Sequence, residues 1–193
     1  MVRCGDVPGV LAADQAGPRV NGRFTKTLYS LSRVQTLTPF TTLQLGINGQ
    51  VAGRNLSNGE KFALGGPSGV RAYPSGEGLG DTAFVLNAEV RSTVAKGVTV
   101  GAARVGDVQL SAFYDYGHTQ QFDNPSSVVL VGPNTYVLKG AGFGLTLGIA
   151  GVYDFRLQFA RQLGTRPALS AQGRLTDGTA GRNRLIFNTQ LYF

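Results

Sequence analysis

Tryptophan is absent from this 193-residue chain, and cysteine, histidine and methionine occur once each. A single Cys4 leaves no internal disulfide and has no metal-ligand spacing around it. The single His118 follows Gly117 with no serine or cysteine at motif spacing, so no nucleophile–base pair is offered and it reads as a solvated loop residue. No catalytic residue, metal or cofactor is therefore expected, and the chain does not read as an enzyme. Charged residues are only 15% of the total, well below the usual quarter. The net charge of +7 comes mostly from arginine spread along the chain. No basic block with interleaved aromatics exists, so nucleic-acid binding is not expected. No apolar run reaches the roughly 18 residues of a membrane helix. That absence leaves a transmembrane barrel open, because barrel strands show only ~10-residue alternating segments. No secretory leader is recognisable either: Met1–Gly22 is polar, carries Arg3, Asp6 and Asp14, and lacks a 7–15-residue apolar core. The expectation is an irregular segment over 1–22 and a chain that is the C-terminal piece of something longer.

What is abundant is glycine, 28 residues, about twice the usual share, set among alternating apolar residues. From Arg23 onward the residue types turn to those of strands. Phe24–Leu37 is one strand, with imperfect alternation, since Tyr29 and Leu31 share a face with Arg33 and Gln35. Phe40–Val51 alternates well, with Leu43, Leu45, Ile47 and Val51 opposite Gln44, Gly46, Asn48 and Gln50. Phe84–Arg91, Val108–Gly117, Tyr136–Ile149, Tyr153–Arg161 and Arg184–Phe193 repeat the pattern. Seven strands of about ten residues suit a tilted bilayer crossing. One face of each is apolar with aromatics near the ends, as an interfacial girdle has. The other face is polar or glycine, unlike the dry interior of a sandwich. Connections over 52–82, 118–135 and 164–181 are long and 150–152 is short, as external loops and periplasmic turns alternate in barrels. The stretch 94–107 is the one turn longer than that scheme expects. Gly140-x-Gly142-x-Gly144 lies within a strand with no helix after it; it is an inward row that makes room for something close rather than a dinucleotide fingerprint.

The stretch that organises the rest is Leu64–Asp81, LGGPSGVRAYPSGEGLGD. Glycine and proline at this density admit neither helix nor central strand. A loop of this length is either functional or disordered. Val70, Tyr73 and Leu79 argue for a folded, hairpin-like loop that presents Arg71 and Tyr73 at its tip. A buried guanidinium there needs a carboxylate. Asp115, Glu89 and Asp154 are the inward-facing acids by parity; the competing reading is an exposed loop charge.

The run Gly65-Gly66-Pro67…Val70-Arg71-Ala72-Tyr73-Pro74…Gly76-Glu77…Gly80-Asp81 resembles the signature loop of two-partner secretion transporters, the haemolysin secretion/activation proteins of the outer-membrane insertase superfamily. Ala72 stands where glycine is commoner. Phe113-Tyr114-Asp115-Tyr116-Gly117 resembles the family's FxDxG barrel-wall motif. The ending, with Leu185, Phe187, Leu191 and the terminal Phe193 on one face, resembles the C-terminal signal read by the barrel-assembly machinery.

This resemblance implies an all-β fold, the C-terminal part of a transmembrane β-barrel over 23–193 with its long loop, 54–82, folded inward. It further implies a bacterial outer-membrane location, a docking of the loop tip (Val70, Arg71, Ala72, Tyr73) on the wall (Phe113, Asp115, Gly117), and assembly through Leu191 and Phe193. The implied partners are outer-membrane lipids and a secreted haemolysin- or adhesin-type exoprotein, recognised by POTRA domains outside this sequence. A barrel insertase of the same superfamily and a non-functional gene fragment are the alternative readings.

Overall fold

The computed structural model describes residues 9–126, 128–130, 132–165, 170 and 172–193; Cys4 and the start of the 1–22 segment lie outside them. Strands β1 (Lys26–Thr38), β2 (Thr41–Ala52), β5 (Thr82–Val100), β6 (Ala103–Gln120), β7 (Thr135–Ile149), β8 (Tyr153–Leu163) and β9 (Asn183–Leu191) form one antiparallel sheet in that order. The long β2–β5 connection carries a two-residue hairpin of its own, β3 (Phe62–Ala63) paired with β4 (Leu79–Gly80). Every neighbour in the large sheet is next in sequence once that loop is set aside, so the sheet is a meander, an arc of barrel wall that is not closed.

The alternation of the sequence becomes the two sides of this wall. Leu28 and Ser30 of β1 pair with Gln50 and Asn48 of β2 on the inner side, while Leu31 pairs with Ile47 on the outer. Tyr29, Leu31, Arg33 and Gln35 do share one face, the outer one, where Arg33 donates to Gln35 at 2.9 Å. Farther round, Leu86, Leu110, Phe143, Leu185 and Phe187 are all exposed on the outside, as residues that face acyl chains are. The larger apolar hollow of the surface, lined by Leu31, Leu45, Ile47, Leu86 and Tyr114, lies on this same side.

Two expectations are corrected. The 94–107 stretch is not a connection: β5 runs on to Val100, β6 begins at Ala103, and a two-residue turn joins them. Register shifts between Thr93 and Thr99 hid the strand, because each bulge inverts the parity of the residues beyond it; Gly97, at φ 61°, takes one of the left-handed positions. All the short turns now fall at one end and all the long connections at the other. Within 1–22, residues Val10–Ala16 form a helix, α1. Alanine is the best helix former, and Asp14 closes the element by accepting the N–H groups of Val20 and Asn21 at 2.8 and 3.1 Å.

The apolar core is not between two sheets. It lies inside the curve of the wall, where Leu64, Val70, Ala72 and Tyr73 of the β2–β5 loop pack on Val85, Phe113, Tyr136, Leu138 and Ala160. The loop is thus the second layer of the fold.

Candidate functional site

The loop leaves the wall at its long-connection end, turns back into the concave side, and returns to the same end. Its tip is a tight fold. Tyr73 N–H donates to the Val70 carbonyl at 3.0 Å and Gly66 N–H to the Tyr73 carbonyl at 3.1 Å. The Gly65–Val70 bridge then closes the tip on itself. Tyr73 is only 1% exposed.

Four residues of the tip and three of the wall meet as neighbours. Arg71 donates from Nε and Nη2 to the two Asp115 oxygens at 3.0 and 2.9 Å, and its backbone N–H reaches the same carboxylate at 3.0 Å. This is the two-pronged arginine–carboxylate geometry, stronger and more directional than a single contact. The remaining arm, Nη1, donates to Glu89 at 2.5 Å, and Arg91 donates to the other Glu89 oxygen at 2.7 Å. Two cations and two anions therefore form one neutral group. The Phe113 ring lies under the guanidinium, 3.5 Å from its centre, an arrangement that adds a cation–π attraction. Asp115 is fully buried.

Sequence parity places Asp115, Glu89 and Asp154 on one side and leaves the partner of Arg71 open; two of the three take it. Asp154 is the second residue of β8, at the short-turn end, away from the tip. Asn87 and Gln162 carry no motif that marks them, although both alternate inward. Asn87 donates to Asp115 at 2.8 Å and to the Gly69 carbonyl at 2.9 Å, and Gln162 donates to the Ala72 carbonyl at 2.9 Å. Wall side chains thus grip the backbone of the loop as well as its arginine.

The glycines of the wall are the complement of the tip. A Cβ on Gly117 would come within 2.9 Å of Val70, and one on Gly140 within 2.8 Å of the Ala72 methyl. Neither approach is found between real side chains, so Gly117 and Gly140 are the recess into which Val70 and Ala72 fit. One row along, a Cβ on Gly142 would meet the Phe113 ring at 2.5 Å.

Two further contacts hold the loop away from its tip. At the base, Lys61 pairs with Asp81 at 2.9 Å with both side chains buried, and Lys61 lies 3.8 Å over the Phe122 ring. Asp81 also accepts Leu56 N–H at 3.0 Å and Asp123 N–H at 2.9 Å. On the flank, Glu77 accepts Thr176 N–H and Oγ1 at 2.8 and 2.5 Å, and Leu175 is buried in the core beside it. Toward the short turns, below Arg71, a polar cavity of about 240 Å³ is lined by Gln44, Glu89, Arg91, Arg156 and Gln158. Among the described residues no three His, Cys, Asp or Glu side chains come together as metal ligands.

Leu191 and Phe193 lie elsewhere, exposed at the end of β9. His118 is not in a loop. It belongs to β6, paired with Phe84 and Val137, and its ring stacks on Phe84 with centroids 5.5 Å apart. The glycine before it carried the wrong hint, since Gly117 serves packing rather than a turn.

The fold and this loop have counterparts among known proteins. The solved structure of CdiB from Escherichia coli superposes with a TM-score of 0.67 at 19% identity, covering 92% of this chain and 29% of that one. The heme/hemopexin transporter protein HuxB of Haemophilus influenzae strain 86-028NP is 32% identical over 143 residues, 72% of this chain. HuxB of strain ATCC 51907 / DSM 11121 / KW20 / Rd aligns to the same extent. The chain spans 24% of the length of these relatives. A family model described as haemolysin secretion/activation protein ShlB/FhaC/HecB matches residues 7–147, a span that contains the whole inserted loop and the wall residues Glu89, Phe113, Asp115, Gly117 and Gly140. The chain belongs to this family of two-partner secretion transporters of the Gram-negative outer membrane.

Proposed function

We propose that this chain is the loop-bearing arc of an outer-membrane pore that passes an unfolded, β-helix-forming exoprotein of haemolysin or adhesin type from periplasm to surface. In this reading the long connections lie outside and the short turns face the periplasm, as in other outer-membrane barrels. POTRA domains elsewhere in the transporter select the partner, and Leu191 and Phe193 present the barrel to the assembly machinery. The relatives' name raises heme or hemopexin handling as the business of the exported partner. The wall itself needs more strands. β1 and β9 run in the same direction, so they cannot pair with each other in an antiparallel barrel, and open edges do not survive in lipid. Closure takes an odd number of additional strands between them.

The observation that carries the reading is the neutral group around Arg71. It is the charged anchor of the loop tip in the lumen, and in this reading the point of release. Breaking a buried pair from one side typically costs about 3–5 kcal/mol, because the other charge is stranded. The test is Arg71→Ala in the complete transporter. Insertion is expected at the normal level, by heat-modifiable migration on gels, while the partner no longer appears in the medium. Unchanged secretion would refute the proposal.

A further inference from the structure

The carboxylates on the strands of the wall, Glu89, Asp107, Asp115 and Asp154, all alternate onto its inner side. The outer side has none, yet it does have cations, and three nitrogen-bearing side chains gather in one place. The apolar rows of β6, β7 and β8, running up to Tyr116, Ala141 and Phe159, are interrupted on the long-connection side by His118, Lys139 and Arg161, with only Val137 and Leu163 as apolar residues beyond them on the same face of β7 and β8. The register makes these three neighbours. His118 pairs with Val137 and Arg161 with Ala141, the residues two before and two after Lys139. Such diagonal positions on one face are within reach of long side chains.

None of the three has an ion pair among the described residues. Lys139 instead lies 5.8 Å from the centre of the Tyr116 ring, and Phe84 braces His118. The depth of the cluster is set by the strand. Ten residue steps separate Ile149 from Lys139; at about 3.3 Å each and a tilt of about 40° they climb about 25 Å, the height of the apolar band of such barrels. The cations therefore stand where acyl chains end and headgroups begin. A guanidinium fork, an ammonium and an imidazole N–H set along one diagonal of the face, with Lys139 in the middle, are donors that phosphate oxygens take.

We propose that His118, Lys139 and Arg161 bind the phosphate groups of a phosphorylated glycolipid in the leaflet at the long-connection end, which makes this face of the wall a fixed lipid site. The proposal rests on the orientation given above, and its test does not depend on export. The detergent-extracted full-length transporter is titrated with bisphosphorylated lipid A and bound lipid is counted by native mass spectrometry. The neutral double variant K139Q/R161Q is expected to hold about tenfold less than wild type, and each single variant about threefold less, which carries the test if the double variant does not insert. The charge-preserving K139R/R161K should bind as wild type. Lipid A stripped of phosphate should bind all of them at the low level, phosphatidylglycerol should not displace lipid A, and R33Q should change nothing. Equal binding by the neutral and wild-type proteins, equal binding of dephosphorylated lipid A, displacement by phosphatidylglycerol, or an equal loss in R33Q would overturn the assignment.

Discussion

Lys61 and Asp81 form a buried ion pair, 2.9 Å long, that joins the outgoing and returning limbs of the inserted loop. Lys61 also donates to the Gln121 carbonyl, so the base of the loop is tied to the β6–β7 connection. The loop is therefore held twice, at its tip by Arg71 and at its root by this pair. Loss of either anchor should have a distinct signature. Lys61→Met, which strands the Asp81 carboxylate, should destabilise the root by about 3–5 kcal/mol. Limited proteolysis on cells should then cut within 53–62 while Arg71 remains protected. Cleavage indistinguishable from wild type would show that the root pair holds nothing.

Asp115 and Glu89 both face Arg71, but not equally. Asp115 takes two guanidinium nitrogens and the Arg71 backbone N–H, whereas Glu89 is shared with Arg91. Asp115→Asn should therefore free the loop far more than Glu89→Gln. A spin label placed near the tip should report a mobile fraction in the first and a nearly native spectrum in the second. The reverse order would move the principal anchor to Glu89.

Gly140 tests shape without charge. A valine there would drive into Ala72 and Val70, and overpacking of this kind typically costs about 1–3 kcal/mol. Gly140→Val should displace the tip even though every charged residue is intact, and the reciprocal Ala72→Gly should restore part of the docking. A double-mutant cycle on thermal unfolding of the barrel measures the coupling; additive effects would deny the contact.

The flank has a pH dependence of its own. Asp177 lies in the β8–β9 connection, where hydrogen bonds from Thr179 and then from Arg184 hold its carboxyl down to about 2 from an ordinary 3.8. A depressed carboxyl contributes its stability above the unfolded value and loses it as pH falls through the folded one. The connection should thus be equally firm from neutral pH down to about 4 and loosen between about 4 and 2. The pair is well exposed, so the effect is worth no more than about 0.2–1 kcal/mol. Pepsin cleavage of the wild type should rise across that window relative to Asp177→Asn, which is already loose at its upper end. Parallel profiles would count against the linkage.

The wall was legible where alternation was regular. Leu43, Leu45 and Ile47 against Gln44, Gly46 and Asn48 give both the strand and its two sides. It was illegible between Thr93 and Thr99, where bulges invert the parity locally and neither composition nor period marks them. The inward glycine row could be read as room for a close neighbour, but only the register shows that Gly117 and Gly140 receive Val70 and Ala72. Arg71 announces its need for a carboxylate, while the choice among inward acids depends on how deep the loop descends. Lys61, Asn87 and Gln162 act on partners 18 to 90 residues away, distances over which no local pattern carries information.

Both limbs of the inserted loop are rooted at the long-connection rim, with the tip hanging toward the short turns. In the export pore proposed above, a body hinged at that rim would swing aside for traffic that is leaving and lie across the path of traffic that tries to enter. Directionality can then come from where the flap is attached, with no energy source at the membrane itself.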